Sequence, residues 1–386
     1  MKKQFTTLLT ITLLATGIFA TTSCSSDDSS SSNNDNGFEV VVDNLQGTIN
    51  SGTVTLDATK TYRLTGKLVV ENGATLRIPA GTTLIGTTFT SYIAVAQGGK
   101  IFVEGTATNP VVMTAAVKEP GKWGGLVICG KAPINKGLTA SAEVSDLTYG
   151  GTEVSDNSGS IRYLRIEYAG YNHSAEKEFN GLSLFGVGNG TTIEYVQLHA
   201  GSDDGIEFFG GTVNTKYIVS TFNEDDQFDW TEGWNGTNSF WYSKQGLGKA
   251  NRGIEADNNA NNYNATPISF PTIENLTLIG LGKDDPGSEN QAMKLRVGTK
   301  GRFNNVYIQD FKVGLDIQHD ETISYIPTDL KISNVTFNNV GTKAKGKNSA
   351  DISVNVDQSF TETTNASGAG NGANVPTWAQ GWTVGL

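Results

Sequence analysis

Two acidic segments of this chain share one order of acidic, apolar and aromatic residues: Ser202–Phe208 and Glu224–Trp230. Their first aspartates, Asp203 and Asp225, stand 22 residues apart. A repeat of this length is typical of a solenoid, in which each coil of the chain stacks on the previous one. Stacking brings equivalent carboxylates close together, and like charges resist this unless something compensates them. The repeat therefore bears on the fold and on a candidate site.

Further short segments align with the repeat, and in each of them two apolar residues flank one residue that is usually polar. They are Gly181–Leu184, Gly205–Phe208, Gln227–Trp230, Gly253–Ala256, Ala292–Leu295 and Gly314–Ile317. Because side chains alternate between the faces of a strand, the flanking pair should point inward and the middle residue outward. The predicted outward ladder is Ser183, Glu207, Asp229, Glu255, Lys294 and Asp316.

A second type of strand falls between these segments and carries Asn275, Asn305 and Asn334 at one shared position. Asparagines stacked at a bend can join coil to coil through their side-chain amides. The 46 glycines punctuate short β-rich runs, and no long helical periodicity occurs. An immunoglobulin-like sandwich would show hairpin turns instead of coil-aligned side chains. The sequence therefore predicts an all-β, single-stranded, right-handed parallel β-helix in one domain.

A family resemblance supports this prediction. The phrases at 98–101, 109–114, 123–128 and 203–213 resemble those of secreted right-handed β-helix proteins of Bacteroidota. The similarity runs from about Leu68 to Asp316. It implies the pectin-lyase-like fold, but it implies no particular activity, because one fold hosts many functions.

The N-terminus indicates export. Residues 1–23 combine two lysines, a short apolar run and small residues, as in a secretory signal, and Cys24 follows where a lipoprotein is lipidated. Residues 24–37 lack apolar side chains before Gly37 and predict a flexible tether. This tether resembles the export signal of surface lipoproteins of Bacteroidota, which implies a lipid anchor in the outer membrane, facing outward. The β-helix domain is expected over residues 38–386.

The net charge and the few cysteines and histidines argue against several classes of function. The net charge of −11 argues against nucleic acid or anionic lipid as a partner. Beyond Cys24 only Cys129 remains, so no disulfide framework is expected. His173, His199 and His319 show no ligand spacing, which argues against zinc.

The acidic ladder first suggests a Ca²⁺ site, because Ca²⁺ accepts many oxygen ligands in irregular geometry. The candidate ligands are Asp203, Asp204, Glu207, Asp225, Asp226, Asp229 and Glu255. The fold resembles that of pectate lyases, which set an arginine or lysine base beside Ca²⁺. This resemblance implies Lys294, Arg296 and Arg252 as candidate catalytic bases.

A second interpretation is glycan binding without turnover, because Trp234, Trp241 and Tyr242 crowd the same region and sugars stack on aromatic faces. Trp230 occupies an inward position and is expected in the core. Binding of a polysaccharide or a divalent cation, as an accessory to an outer-membrane uptake complex, is the favoured function. Whether the protein is an enzyme is left open.

Two alternatives stay open beside it. One is an enzyme, either a Ca²⁺-dependent polysaccharide lyase or a glycoside hydrolase with an acid pair drawn from Glu207, Asp229 and Glu255. The other is a structural surface protein, in which the paired aspartates only cap turns. Finally, Trp378 and Trp382 follow a Gly- and Asn-rich stretch and are expected to cap the open end of the solenoid.

Overall fold

The structure is a computed structural model that describes residues 32–33, 37–174, 177–247, 249–287 and 289–386. The predicted signal peptide and Cys24 lie outside the described residues. Ser32 and Asn33, from the predicted tether, pair antiparallel with Val40 and Glu39. None of the helices in the described ranges has the length and apolar character to cross a bilayer.

Short strands make up most of the domain. In the first half these are β1 Ser32–Asn33, β2 Glu39–Val40, β3 Leu45–Ile49, β4 Gly52–Thr55, β5 Thr61–Val70, β6 Ala74–Pro79, β7 Thr83–Gly86, β8 Tyr92–Val95, β9 Lys100–Glu104, β10 Val111–Ala115, β11 Leu126–Cys129, β12 Ala140–Ser141, β13 Thr148–Tyr149, β14 Gly159–Glu167, β15 Asn172–Ser174 and β16 Lys177–Glu178.

The second half continues with β17 Leu182–Phe185, β18 Thr192–His199, β19 Ile206–Phe209, β20 Asn214–Thr221, β21 Phe228–Thr231, β22 Thr237–Lys244, β23 Ile254–Ala256, β24 Thr272–Ile279, β25 Gln291–Leu295, β26 Gly301–Gln309, β27 Val313–Gln318, β28 Leu330–Asn338, β29 Thr342–Lys347, β30 Ser353–Val354 and β31 Phe360–Glu362. One α-helix, Asp320–Ser324, and two 3₁₀ turns, Asp357–Ser359 and Thr377–Ala379, complete the described elements.

The strands stack in parallel from coil to coil, which confirms the predicted fold class. One sheet, here called the ladder sheet, runs through β8, β11, β17, β19, β21, β23, β25, β27 and β29. The longer strands β14, β18, β20, β22, β24, β26 and β28 stack separately. In β14 the first half pairs with β9 and the second half with β10, so each long strand contributes to two sheets.

Each long strand bends at one residue of positive φ, and the predicted asparagines occupy three of these bends. Asn275 has φ 63°, and its Oδ1 accepts a hydrogen bond from Nδ2 of Asn305 at 2.7 Å, as predicted. Asn334 instead donates to Oδ1 of Asn304 at 2.8 Å. Asparagine tolerates this left-handed conformation better than most residues.

Earlier coils place aromatic rings at the same bend. Tyr163, Tyr195, Tyr217 and Phe240 have φ between 49° and 60°. Their rings form a continuous stack with centroids 4.3, 4.4 and 5.0 Å apart. Aromatic pairing of this kind contributes about 0.5–1.5 kcal/mol per pair, which offsets the strain of a bulky residue in left-handed backbone.

One continuous apolar core fills the coils from Val40 to Val356. Trp230 lies in it with no exposed surface, as predicted. Near the last coil, Val354 and Phe360 pack against this core and Val356 is part of it.

The C-terminal tryptophans do not close the end of the solenoid, so this prediction is wrong. Residues 363–386, here called the strap, run back along the side of the solenoid. The strap starts at Thr336, whose Oγ1 donates to the Thr363 carbonyl, and reaches Gln197, which exchanges two hydrogen bonds with Val384. Trp382 is fully buried against the aromatic stack, near Tyr163 and Tyr195.

Long loops rise beside the ladder sheet and determine how much of it solvent can reach. Residues 130–158, with the hairpin β12–β13, cover its early strands through Ala142, Val144 and Tyr149. Residues 257–271 meet this loop through hydrogen bonds between Asn135 and Asn258. Residues 177–181 precede β17, and residues 280–287 and 289–290 precede β25. Asn180 and Glu289 from these segments contact the ladder residues Glu207 and Lys294. The space above the middle strands is therefore a walled groove.

Candidate functional site

The outward ladder predicted from the repeat is formed. Strand register places side by side, in successive coils, Ser183, Glu207, Asp229, Glu255, Lys294 and Asp316. These side chains point away from the core, but the loops enclose them. Lys294 is 9% exposed and Asp316 only 1%. The ladder is therefore the floor of the groove and not an open surface.

Two of the turn aspartates cap backbone from one coil to the next. Oδ1 of Asp204 accepts the amide of Asp226 at 2.9 Å. Oδ1 of Asp226 accepts the amide of Arg252 at 2.7 Å. These two residues therefore cap turns. Among the described residues none gives Asp203 such a bond, and Asp225 accepts the side-chain amide of Asn251 instead.

The later half of the groove is neutralised by ion pairs. The Arg252 guanidinium contacts Asp226 at 3.2 Å, Glu255 at 3.0 Å and Glu289 at 2.8 Å. Arg296 contacts Glu255 and Asp257, each at 2.9 Å. Further along, Lys345 lies 3.0 Å from Asp316. Each carboxylate here has a cation within contact distance.

The earlier half has no such compensation. Within the described ranges, no lysine, arginine or histidine nitrogen lies within 4.0 Å of the carboxylates of Asp203, Asp204, Glu207 or Asp229. Glu207 accepts a hydrogen bond from Nδ2 of the buried Asn180 at 2.7 Å. The ladder thus divides into an uncompensated acidic end and a compensated end, and the boundary lies between Asp229 and Glu255.

Burial without cations raises the pKa of these four acids. Burial is the main cause for Asp203, whose pKa is raised to about 8, and the charges of Glu178 and Asp225 add to it. The pKa values of Asp204, Glu207 and Asp229 are also raised well above the usual range by burial and by one another. Adjacent coils lie about 4.8 Å apart, where two unit charges repel by roughly 3 kcal/mol at an effective dielectric of 20.

Oxygen atoms of three of these acids, with those of Asp225 and of the ion-paired Asp226, are close enough to share a cation. One group is Asp203, Asp204 and Asp225, and the other is Asp204, Asp226 and Asp229; within each, one oxygen from every residue lies within 4.8 Å of the others. The two groups share Asp204. Carboxylate oxygens alone form the donor set, which suits a hard cation such as Ca²⁺ and not zinc. Glu207 and Glu255, predicted as ligands too, belong to neither group.

Two further acids reach the groove from outside the repeat, and no periodic pattern in the sequence marks them. Glu143 lies between β12 and β13, and Glu178 lies in β16. Burial raises the pKa of Glu143 to about 7, and the charge of Glu143 in turn raises the pKa of Glu207. Since loop residues stand outside the 22-residue repeat, only the folded loop brings them to the ladder.

The three predicted cationic bases are all tied to carboxylates. Lys294 lies 3.4 Å from Glu289, and both arginines hold the ion pairs described above. The surrounding acids raise the pKa of Arg252 and of Arg296 above the usual arginine value. A catalytic base must give up its proton first, so these pairs oppose that role for the arginines.

The predicted aromatic ligand-binding residues do not face the groove, and this prediction is wrong. Trp234 and Trp241 are fully buried in the core, where each stacks on Phe208. Tyr242 is 1% exposed, and the strap covers it. The prediction failed for Trp234 and Trp241 because large apolar side chains fill the wide interior of the coils in a solenoid.

Some known proteins are similar to parts of this chain. Two solved structures are similar: the enzymatically active domain of tailspike protein 2 of bacteriophage CBA120, and the full-length tailspike protein 2 from an Escherichia coli O157:H7 bacteriophage. Their identities are 13% and 12%, with a TM-score of 0.26 for each. The matches cover 75% and 74% of this chain but only 39% and 34% of the tailspike chains.

No curated protein matches the sequence. One family does: its sequence model, described as a pectate-lyase-like β-helix domain, matches residues 47–383, which is nearly all of the β-helix described above. The chain belongs to the pectate-lyase-like β-helix domain family.

Proposed function

We propose that the groove binds a divalent cation of the Ca²⁺ class at its uncompensated end and uses it to hold a polysaccharide. The observation that carries this proposal is the division of the ladder. Asp203, Asp204, Glu207 and Asp229 lie enclosed without a cation beside them in the described structure, whereas the next coils are fully ion-paired. A buried, unpaired carboxylate is costly, and a bound cation relieves several of them at once.

A bound cation would also allow a protein of net charge −11 to attract an acidic or hydroxylated glycan. Ca²⁺ takes about six to eight oxygen ligands, more than the carboxylates of either group supply singly. Sugar hydroxyl and carboxylate oxygens can fill the remaining positions. Lys294 lies one coil beyond Glu255 and would add a positive charge for the same chain of sugars.

Calorimetric titration with CaCl₂, after treatment with chelator, tests the cation. We expect binding by the wild type, and loss of binding in Asp203→Asn and Asp229→Asn. Asp316→Asn is the matched control, because Asp316 lies in the same column but is paired with Lys345. If melting of the wild type is the same with Ca²⁺ and with chelator, the proposal fails.

Titration with polygalacturonate and with alginate, with and without Ca²⁺, tests the glycan. We expect Ca²⁺-dependent binding of at least one polymer. If the protein binds the cation but none of a panel of acidic and neutral polysaccharides, the site holds a metal ion and no glycan.

Glycoside hydrolysis is the second candidate function, and one observation favours it over a lyase reaction. Glu143, whose pKa is raised to about 7, acts electrostatically on Glu207, whose neighbour in the ladder is Asp229. One of the two carboxyl groups of a glycosidase keeps its proton near neutrality, and Glu143 fits that requirement. New reducing ends released from a polysaccharide by the wild type, but not by Glu143→Gln or Glu207→Gln, would support hydrolysis.

We also propose that the protein is a lipoprotein anchored through Cys24 in the outer membrane and facing outward, in contact with an uptake complex. The support comes from the N-terminal sequence, namely the signal over residues 1–23 and the acidic tether. Labelling of cells with a fatty-acid analogue should mark the wild type and not Cys24→Ser. Protease added to intact cells should digest the protein if it faces outward.

A further inference from the structure

Three members of the aromatic stack are tyrosines, and they stand at the same bend of three successive long strands. Tyr163, Tyr195 and Tyr217 belong to β14, β18 and β20, which pair in parallel. The rings of Tyr163 and Tyr195 have centroids 4.3 Å apart and an interplanar angle of 10°. Those of Tyr195 and Tyr217 have centroids 4.4 Å apart and an angle of 17°. Among the described residues, no other two tyrosine rings stack on each other.

The hydroxyl groups of these tyrosines are neighbours as well as their rings. Burial raises the pKa of Tyr195 to about 12, and the adjacent phenols of Tyr163 and Tyr217 add to this shift. Nearly parallel rings with adjacent hydroxyls also have adjacent ortho carbons. The strands pair on both sides of the bend, so the backbone holds this arrangement. Each of the three side chains is only half-buried, and small solutes therefore reach them.

This geometry brings together groups that react with each other once they are oxidised. A phenol that loses one electron and its proton becomes a phenoxyl radical, whose unpaired electron lies partly on the ortho carbons. Two such radicals join through these carbons, and proximity within one molecule favours this reaction over an encounter between molecules. The two ring hydrogens then move to the oxygens, which restores both phenols. In total the pair loses two electrons and two protons and gains one carbon–carbon bond.

We infer that the tyrosine stack is a site of oxidative cross-linking, at which a small one-electron oxidant joins Tyr195 to Tyr163 or to Tyr217. Radicals formed from peroxide are oxidants of this class. Either bond connects neighbouring coils covalently. It closes a loop in the unfolded chain, so it should stabilise the fold as a disulfide does. The inference is independent of the function proposed for the groove, because none of the three tyrosines belongs to the acidic groups.

Oxidation of the full chain with photochemically generated tris(bipyridine)ruthenium(III) tests the inference, with persulfate as the final acceptor of both electrons. The protein is kept dilute, and the monomer is isolated before measurement. It should show dityrosine fluorescence and melt a few degrees higher than the untreated protein. Arg165 and Lys216 separate the three tyrosines in sequence, so trypsin leaves each on its own peptide. Mass spectrometry should therefore find linked pairs of peptides that contain Tyr195.

Two substitutions in the stack make the test specific. Tyr195→Phe keeps a ring in place but removes the phenol that both pairs share, so the dityrosine yield of the monomer should fall at least about tenfold. Adding Phe240→Tyr to this variant should restore dityrosine, because the ring at position 240 lies 5.0 Å from that of Tyr217. Equal melting temperatures before oxidation would show that the variants are folded.

Tyr171→Phe is the matched control, because Tyr171 is also half-buried and stacked, but its partner is Phe89 at 5.2 Å. It should form dityrosine as the wild type does. An undiminished yield in the Tyr195→Phe monomer would overturn the inference. Dityrosine found only in cross-linked dimers of the wild type would overturn it as well.

Discussion

Arg252 contacts carboxylates from three different parts of the chain: the turn residue Asp226, the ladder residue Glu255 and the loop residue Glu289. Its side chain is 9% exposed, so the pairs are poorly screened by water. A buried ion pair need not stabilise a fold more than apolar packing would, but removal of one partner leaves the others buried and charged. Arg252 therefore fixes where the compensated half of the groove begins.

Replacement of Arg252 by Gln should destabilise the protein by about 3–5 kcal/mol, because Asp226 and Glu255 would lose a shared cation. Urea unfolding followed by tryptophan fluorescence measures this change. Lys249→Gln is the control, since that lysine forms an exposed pair with Glu224 that should contribute less than about 1 kcal/mol. A small effect for both variants would mean that water replaces the guanidinium without cost.

The uncompensated acids predict how stability depends on pH. Burial raises the pKa of Asp203 to about 8 and that of Glu143 to about 7, from ordinary values near 4. Between about pH 4 and pH 8 the folded protein therefore binds more protons than the unfolded chain, so its stability falls as pH rises. In chelator, the free energy of unfolding should decrease by roughly a few kcal/mol over this window.

Urea unfolding at a series of pH values measures this dependence. Added Ca²⁺ should flatten it, because a bound cation takes the place of the protons. Asp203→Asn should also flatten it in chelator, whereas the ion-paired control Asp316→Asn should not. A stability that rises between pH 5 and pH 8 in chelator would show that these carboxylates are ionised and stabilised in some other way.

The sequence predicted the side chains whose positions the repeat determines, and it missed contacts made by residues outside the repeat. The ladder from Ser183 to Asp316 followed from the period-2 alternation, which a strand imposes on every coil. Pairing of the acids with Arg252 and Arg296 was not predictable in detail, because it depends on how turns and loops of unequal length fold. Glu143 was missed for the same reason, since no periodic pattern connects the loop that carries it with the ladder.

At the level of elements, the strap is the clearest difference between expectation and structure. Its tryptophans were predicted to close the end of the core, but they lie along one column of outward side chains. This column contains Arg165, Gln197, Val219, Tyr242, Thr277, Tyr307 and Thr336. Trp382 packs against the aromatic stack beside this column. The sequence contains a signal for the stack, because Tyr195 stands where later strands have asparagine.

Trp382→Ala should destabilise the protein by about 3–5 kcal/mol, because a fully buried indole would be lost from its contacts with Tyr163 and Tyr195. Thermal unfolding followed by circular dichroism measures the change. Ile352→Ala is the control, since Ile352 is 62% exposed and its loss should cost less than about 0.5 kcal/mol. Equal effects would mean that the strap is not held by its tryptophan.

The whole molecule is a solenoid, in which each coil contacts mainly its neighbours. Stability in such proteins is a sum of coil and interface contributions, and separate parts of the array can unfold at different temperatures. The strap changes this, because it binds coils that do not touch each other. Thr277 contacts it through Ala369 and Gly372, and Arg165 contacts it through the Trp382 carbonyl at 3.3 Å. The strap therefore links early coils of the solenoid to later ones.

Deletion of residues 364–386 should reduce the cooperativity of unfolding as well as the stability. Scanning calorimetry should give one transition for the full chain, with calorimetric and van't Hoff enthalpies nearly equal, and a broader profile with unequal enthalpies for the deletion variant. Trp382→Ala is the matched control, because it weakens the strap but keeps its backbone hydrogen bonds to Gln197. That variant should melt earlier yet still in one transition. A sharp, single transition in the deletion variant would show that stacking of the coils alone makes the solenoid cooperative, and that the strap contributes only the surface it buries.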